Sequence, residues 1–178
     1  MLTREPGGSP GAEAIRTLLV TGEPGRWDAV TEAMLMNAAR RDHLIRTIRP
    51  ALAKGQWVIC DRFIDSTLAY QGYAGGVPLA TLEALIEAAV EDTRPDLTLV
   101  LDLAPETGLA RTLRGSDGTE ARFERKGLAF HAAVRDGFLR IATANLDRCV
   151  TVDAGTLPEG LIARAVAAAV SERLGVSA

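Results

Sequence analysis

The sequence predicts an α/β domain with a mainly parallel sheet. Short apolar runs that are typical of strands alternate with longer segments of helical periodicity along the chain. The run from Leu97 to Leu103 is almost continuously apolar, as expected of a strand that is covered on both faces. Because 178 residues are enough to bury a substantial core, we expect a single domain over residues 1–178.

The first part of the chain predicts the end of a strand and two helices. Met1 to Thr3 has the character of the last residues of a strand, and a turn-rich loop follows. Helical spacing then predicts helices over 12–20 and 28–48. Because Pro50 disfavours helical angles at the preceding residue, we expect a break or kink at Arg49. In the longer helix, the apolar residues available for burial are Val30, Met34, Leu35, Ala38, Leu44, Ile45 and Ile48.

The rest of the chain alternates strands and helices. The apolar run Trp57 to Cys60 contains two β-branched residues and follows a glycine, which predicts a buried strand. Pro105 is suited to the first turn of a helix. The remaining predicted elements are a helix over 79–90, a strand over 97–103, a helix over 106–113, a helix over 121–144 with an interruption near Gly127, a strand over 150–153 and a helix over 158–174.

Composition excludes several classes of protein. A net charge of −3 argues against a general binder of nucleic-acid polymers, which carries a basic surface. Cys60 and Cys149 are far apart and form no metal-ligand or redox motif, which favours reduced thiols in a cytoplasmic protein. The longest apolar runs are too short to cross a membrane, and no secretory leader opens the sequence, so we expect no membrane partner.

The strongest functional signal follows the strand that ends near Cys60. Asp61 and Arg62 lie where the strand stops, and ligands of parallel α/β sheets bind beyond the carboxyl ends of the strands. Arginine suits a phosphate, and aspartate is a ligand for Mg²⁺. A surface ion pair that caps the strand explains these two residues equally well.

The residues that follow favour a nucleotide ligand. Ser66, Thr67, Tyr70 and Gln71 bring uncharged hydroxyl and amide groups close after the charged pair. Thr67 and Gln71 are four residues apart, so they share one face of a helix. Phosphate-binding charge followed by groups suited to the edge of a base or a sugar is the pattern expected for a nucleotide.

Asp61-Arg62-Phe63, followed by Asp65-Ser66-Thr67-x-Ala69-Tyr70-Gln71-Gly72, resembles the signature of bacterial thymidylate kinases. The segments Thr3 to Gly8 and Arg94 to Asp102 resemble two further segments of that family, in the same order and spacing. The resemblance implies a P-loop NTPase-like fold, a three-layer sandwich with a mainly parallel sheet. It also implies phosphorylation of dTMP to dTDP with ATP and Mg²⁺ in dTTP synthesis, and a homodimer.

One part of the family pattern does not occur in the sequence. Nucleotide kinases hold ATP with Gly-x-x-x-x-Gly-Lys-Ser/Thr, and neither Lys54 nor Lys126 stands in such a motif. In the family this P-loop precedes the segment that resembles Thr3 to Gly8. We therefore expect a chain that lacks the first strand, P-loop and first helix, with a gap between the strands at 57–60 and 97–103. From this we expect poor stability, little activity and an upstream start codon.

The resemblance also assigns roles on the acceptor side. It implies that Arg4 and Arg62 bind the acceptor phosphate, and that Asp61 holds Mg²⁺ or orients Arg62. It makes Glu5 a possible acidic helper near the phosphates, although a helix cap or a plain surface charge explains Glu5 equally well. The resemblance also implies three catalytic residues. They are Asp61 and two arginines of a lid at about residues 111–125, first Arg114 and then Arg122. The two arginines neutralise charge on the transferred phosphate.

The same resemblance implies how the base and the sugar are read. Arg40 corresponds to the arginine that binds a thymine carbonyl, and Thr67 to the residue that reads the base edge. Tyr70 corresponds to the residue that excludes a ribose 2′-hydroxyl, and Gln71 lies beside it. Met36 stands where the family usually has a phenylalanine that stacks on the base, so the stacking is less defined here; core packing is the alternative for Met36. Another nucleotide kinase and a non-catalytic nucleotide-binding remnant stay open as alternative functions.

Overall fold

A computed structural model describes residues 1–115 and 121–176 of the chain and confirms the α/β prediction. The strands are β1 (Leu2–Arg4), β2 (Ile59–Asp61), β3 (Thr98–Asp102) and β4 (Cys149–Asp153). The α-helices are α1 (Pro10–Val20), α2 (Ala29–His43), α3 (Arg49–Leu52), α4 (Ile64–Thr67), α5 (Leu79–Val90), α6 (Pro105–Gly115), α7 (Leu128–Ala144) and α8 (Glu159–Leu174). Short 3₁₀ turns lie at Pro24–Arg26 and Glu124–Lys126.

The strands form two parallel pairs. β1 pairs with β2 in a register that places Arg4 beside Asp61, and β3 pairs with β4 so that Asp102 lies beside Asp153. Within the described residues the two pairs are not hydrogen-bonded to each other, which matches the expected gap between β2 and β3. Each pair therefore ends in charged residues at its carboxyl edge, where α/β proteins bind ligands.

Helix α2 packs on a different face from the one that its apolar residues predict. Val30, Met34 and Ile45 are 40%, 55% and 46% exposed, so the prediction that they are buried is wrong. The inward face instead contains polar residues, namely Glu32, Asn37, Arg40 and His43, with Ala33 and Ala39 between them. Glu32, Arg40 and His43 tolerate burial because partners from other segments satisfy them, as buried polar groups require. Asn37 is satisfied within α2, by the carbonyl of Ala33 and by Arg40. Leu44 and Ile48, just after α2, are buried as predicted.

The chain is not broken at Arg49, but the regular α-helix ends at His43 and a π-helical turn interrupts it just before the position where a break or kink is predicted. The backbone stays helical through Pro50, because a π-helical turn at Leu44–Ile48 precedes it. In this turn the backbone N–H of Arg49 donates to the carbonyl of Leu44. A proline clashes with the carbonyl four residues earlier in a regular helix, and the wider turn relieves that clash.

The segment after β2 is helical, as the spacing of its polar residues requires. α4 leads directly into a second π-helical turn, Leu68–Tyr73, which carries Tyr70 and Gln71. Further on, Pro105 starts α6 as predicted. Gly127 has a φ of +88° and separates the 3₁₀ turn at Glu124–Lys126 from α7, at the position of the predicted interruption. No helix in residues 1–115 and 121–176 is long and apolar enough to cross a bilayer.

Candidate active site

Arg40 lies at the centre of a buried network on the inner face of α2. Its Nε donates to Glu5 Oε2 at 2.8 Å and its Nη1 to Asn37 Oδ1 at 2.8 Å. Its Nη2 donates to the carbonyl of Phe63 and to Thr67 Oγ1, both at 3.1 Å. The guanidinium also lies over the Phe63 ring, with its central carbon 5.3 Å from the ring centroid. Glu5, Arg40 and Thr67 were each predicted as site residues. In the structure, Arg40 contacts both of the others directly.

Arg40 retains one donor that no described residue uses. A guanidinium has five N–H donors, and four of them are engaged by the contacts above. The remaining N–H is on Nη1. Because Arg40 is 2% exposed, its side chain cannot move to reach a ligand, and any ligand must fit its fixed orientation.

Glu5 is held from its other side by His43. His43 Nδ1 lies 3.2 Å from Glu5 Oε1, and its Nε2 lies 2.7 Å from Thr3 Oγ1. Glu5 is 5% exposed and its backbone N–H donates to the carbonyl of Asp61 at 2.9 Å, which ties the loop after β1 to the end of β2. His43 was not among the residues that the sequence singled out.

Arg62 and Tyr70 form a second group, beside the first along the chain. The guanidinium carbon of Arg62 lies 5.0 Å from the centroid of the Tyr70 ring. Arg62 has φ of +66°, a left-handed backbone conformation that non-glycine residues rarely adopt and that is often found at functional sites. The chain turns sharply at Phe63 and enters α4. The residues around this turn therefore contribute to both groups.

Arg4 and Asp61 lie next to each other on the paired ends of β1 and β2. Arg4 is exposed, and its Nη2 lies 3.1 Å from Glu13 Oε2. Glu13 Oε1 also accepts the backbone N–H of Gly8 at 2.9 Å, so Glu13 links Arg4 to the glycine-rich loop. Asp61 is exposed at the strand end, where its carboxylate can reach a ligand.

Gln71 and Arg122 are brought together by a residue that the sequence did not indicate, Glu32. Gln71 Nε2 donates to Glu32 Oε2 at 3.0 Å, and Arg122 Nη2 and Lys126 Nζ both donate to Glu32 Oε1. Arg122 is fully buried, and it also donates to the carbonyls of Leu19 and Glu23. The catalytic role of Arg122 therefore stays a prediction, and in this structure its guanidinium is occupied by Glu32.

Two further predicted residues are less defined. Met36 is half-buried one helical turn before Arg40, as a residue that stacks on a base bound at Arg40 would be. The backbone of Arg114 lies in the last turn of α6, but its side chain and residues 116–120 of the predicted lid lie outside the described part of the chain.

A cleft of about 220 Å³ adjoins Arg62 and Tyr70. Its far side contains Asp102 and Arg135, which form a bidentate ion pair at 2.6 and 2.8 Å. Hydrogen bonding to Arg135 lowers the pKa of Asp102. Glu124 also lines the cleft, and its Oε2 is buried with no hydrogen-bond partner in the described residues. The cleft thus combines cations, anions and one unsatisfied acceptor beside the predicted phosphate arginine.

The surroundings of Cys60 disfavour a nucleophilic role. Burial raises the pKa of this thiol to about 12, so it stays protonated at neutral pH. Its Sγ lies 3.1 Å from the carbonyl of Arg62, which holds the strand end in place.

An ion pair fixes α4 against β4. Asp65 is bound by Arg148 through both carboxylate oxygens, at 2.7 and 2.8 Å.

The structure is that of an α/β protein whose strands end in charged residues, and two exposed arginines with a buried third one make this edge suited to a phosphorylated ligand. The thymidylate kinase family model matches residues 1–163. The chain belongs to the thymidylate kinase family, which is a family of nucleoside monophosphate kinases.

Individual relatives agree with the family assignment. A thymidylate kinase from Caulobacter vibrioides is 54% identical over 176 residues, which cover 99% of this chain and 83% of the relative. One from Dinoroseobacter shibae is 54% identical over 168 residues, which cover 94% of this chain and 80% of the relative. The crystal structure of thymidylate kinase from Ehrlichia chaffeensis matches with a TM-score of 0.70 and 32% identity, over 93% of this chain and 77% of that one. These matches confirm the P-loop NTPase-like fold class.

Proposed function

We propose that this chain acts on dTMP, as a thymidylate kinase that transfers a phosphoryl group from ATP to give dTDP for dTTP synthesis. The observation that carries the proposal is the fixed guanidinium of Arg40, which keeps one N–H donor on Nη1 that no described residue uses, while its Nη2 contacts the Thr67 hydroxyl. A thymine carbonyl accepts that N–H. The Thr67 hydroxyl accepts from Arg40, so its own hydrogen is left to donate to the same base edge.

The acceptor phosphate is assigned to Arg4 and Arg62. Both are exposed and flank the end of β2, and two guanidinium groups match the charge and geometry of one phosphate. Tyr70, under the Arg62 guanidinium, is placed to crowd the sugar. Met36 packs on the ring face, and Gln71 supports this side of the pocket through Glu32. Glu5 acts as the acidic helper by orienting Arg40 rather than by touching the phosphate.

Asp61 fits the requirements of a magnesium ligand. Its exposed carboxylate stands beside Arg4, and Mg²⁺ is usually held by one or two carboxylates together with substrate phosphates and water. No cluster of three or more His, Cys, Asp or Glu side chains occurs among the residues described, so an all-protein cage is not expected. When bound, the ion neutralises phosphate charge, and Arg114 and Arg122 of the lid are proposed to add positive charge near the transferred group.

A titration panel tests the proposal. Calorimetry with dTMP, dCMP, dGMP and thymidine should show tightest binding of dTMP, because among these four only dTMP combines a 5′-phosphate with a carbonyl at position 4 of a pyrimidine ring. Release of ADP from ATP and Mg²⁺ should then require dTMP. Tighter binding of another nucleotide would contradict the assignment of the acceptor.

A non-catalytic nucleotide-binding protein is the second candidate. It is favoured by one observation, the absence of Gly-x-x-x-x-Gly-Lys-Ser/Thr from the 178 residues. This candidate predicts that dTMP binds with the same preference but that no ADP is released. The two outcomes of the ADP assay therefore separate the two candidates.

We also propose that the chain forms a homodimer through α2. Val30, Met34, Ala38 and Ile45 make an exposed apolar stripe along one side of this helix and the turn after it. Such a stripe is typical of a protein interface. Sedimentation should give a dimer for the native chain and a monomer for Met34→Glu, whereas a monomeric native chain would contradict the proposal.

With Cys60 and Cys149 both unpaired, we place the protein in the reducing cytoplasm.

A further inference from the structure

His43 is a fully buried titratable residue that none of the roles above uses. It sits at the last position of α2, and its two ring nitrogens contact Glu5 and Thr3, from the segment that includes β1. A ring in this position has no room to shift, because a Cβ added to Gly8 would lie 2.3 Å from His43 Nε2. The segment from Thr3 to Gly8 and helix α2 therefore fix one imidazole between them.

The contacts determine which ring nitrogen carries the proton in the neutral ring. The Glu5 carboxylate already receives the Nε–H of Arg40 and can only accept hydrogen bonds, so Nδ1 of His43 must donate to it. Nε2 then accepts the hydroxyl hydrogen of Thr3. The resulting chain of donors runs from Thr3 through His43 to Glu5, where it meets the donor from Arg40.

We propose that His43 is a positioning residue for thymine recognition, an inference that rests on the proposed function. The imidazole holds the Glu5 carboxylate in one orientation, and Glu5 in turn fixes the Arg40 guanidinium toward Thr67 and the base. Without the Nδ1–H donor, Glu5 Oε1 loses its side-chain partner and the carboxylate can rotate. The open N–H of Arg40 then no longer has a single direction, and the site loses part of its selectivity for a carbonyl at the base edge.

Selectivity for the base is the property that this role controls. At the edge where dTMP carries a carbonyl acceptor, dCMP carries an amino donor, so the ratio of the two affinities reports the aim of the Arg40 donor. The ratio of dTMP to thymidine affinity reports Arg4 and Arg62 instead. A residue that only stabilises the fold would change both ratios together or neither.

The chain offers a matched pair of substitutions at this site. In His43→Asn the side-chain amide nitrogen takes nearly the position of Nδ1 and keeps the donor to Glu5. In His43→Gln the amide group takes nearly the position of Nε2, which faces Thr3 and not Glu5. Calorimetry on the full chain should therefore show a dTMP to dCMP ratio within about threefold of native for His43→Asn, because this variant loses only the contact between Nε2 and Thr3. The ratio should fall about tenfold for His43→Gln, the equivalent of one lost charge-assisted hydrogen bond.

Several results would overturn the inference. These are an unchanged base ratio in His43→Gln, an equal fall in both variants, or a parallel fall in the dTMP to thymidine ratio. If His43→Gln does not fold, Thr3→Val serves instead, since it removes only the hydroxyl that anchors Nε2; its base ratio should fall about threefold, and an unchanged ratio would contradict the proposal. A native chain that does not prefer dTMP to dCMP would overturn the proposed function first, and this inference with it.

Discussion

Two buried glutamates, Glu5 and Glu32, use the same chemistry for different purposes. Glu5 is 5% exposed and Glu32 is 1% exposed, and each binds one buried arginine. Around Glu5, Nδ1 of His43 supplies a second donor, and one N–H of Arg40 has no partner among the described residues. Around Glu32, a second cation, Lys126, and the Gln71 amide close the remaining side. The two sites therefore differ in the number of cations around the carboxylate and in whether an N–H donor is left without a partner. These two features, rather than the ion pair itself, distinguish the proposed base-recognition site from a structural ion-pair network.

The partners of the two glutamates also come from different parts of the chain. Glu5 connects the loop after β1 to α2 and, through Thr67, to α4. Glu32 connects α2 to residues 122–126, at the C-terminal end of the predicted lid. We infer that the first network holds the base-reading side chains in place, and that the second anchors the end of the lid to the same helix.

The largest expected effect is on stability, in Glu32→Gln. This change leaves Arg122 and Lys126 without their anion in a buried place, so the free energy of unfolding should fall by about 3–5 kcal/mol. Urea unfolding monitored by circular dichroism measures it. Glu83→Gln, an exposed glutamate on α5, is the matched control and should change stability by less than about 0.5 kcal/mol. Equal losses in the two variants would show that the Glu32 network does not anchor the lid.

The next effect is on ligand binding, in Glu5→Gln. Only one cation loses its anion here, so the loss of stability should be about 1–3 kcal/mol, smaller than in Glu32→Gln. The affinity for dTMP should fall at least about tenfold, because Arg40 is no longer fixed toward the base. Calorimetry on both variants checks the comparison. Weaker dTMP binding by Glu32→Gln than by Glu5→Gln would reverse the roles that we assign.

The smallest effect concerns a third carboxylate, Asp102, whose arginine partner is 42% exposed. Because Arg135 lowers the pKa of Asp102 in the folded chain, the pair stabilises the fold above the unfolded pKa, near 3.8, and this contribution is lost as pH falls through the folded pKa. Solvent screening limits it to at most about 1 kcal/mol. Asp102→Asn should therefore be slightly less stable than the native chain at pH 7 and equal to it near pH 2 in urea unfolding; a gap that widens with acid would contradict this sign.

The sequence predicted where the strands lie and which residues end them, but not how deeply the strands are buried. A buried strand was expected at 57–60 and a strand covered on both faces at 97–103, whereas Trp57, Ile59 and Leu101 are 54%, 63% and 54% exposed. Apolar runs of β-branched residues mark β2 and β3 wherever they occur, and a strand end at Asp61 follows from the change to polar residues. The resemblance added Arg40 and Thr67, which the structure places 3.1 Å apart although they are 27 residues apart in the chain. Local pattern and a specific motif were sufficient for these features.

The buried polar networks were not predictable in the same way. Hydrophobic periodicity assumes that the apolar face of a helix is the buried one, and in α2 Met34 is outside while Glu32 and His43 are inside. The partner of Glu32, Arg122, is 90 residues away along the chain, and the partner of His43, Glu5, is 38 residues away. No local pattern in the sequence therefore indicates these pairings. A charged residue in a helix gives the same signal whether solvent or a distant arginine satisfies it.

A crystal of the chain soaked with dTMP tests the central claim most directly. We predict that the base lies against Met36 with a thymine carbonyl within about 3 Å of Arg40 Nη1, and that the phosphate lies between Arg4 and Arg62. The backbone and the Glu5–Arg40 contact should not change, since the guanidinium is already fixed. Nucleotide bound elsewhere, with Arg40 still bonded only to Glu5, Asn37, Phe63 and Thr67, would contradict the account.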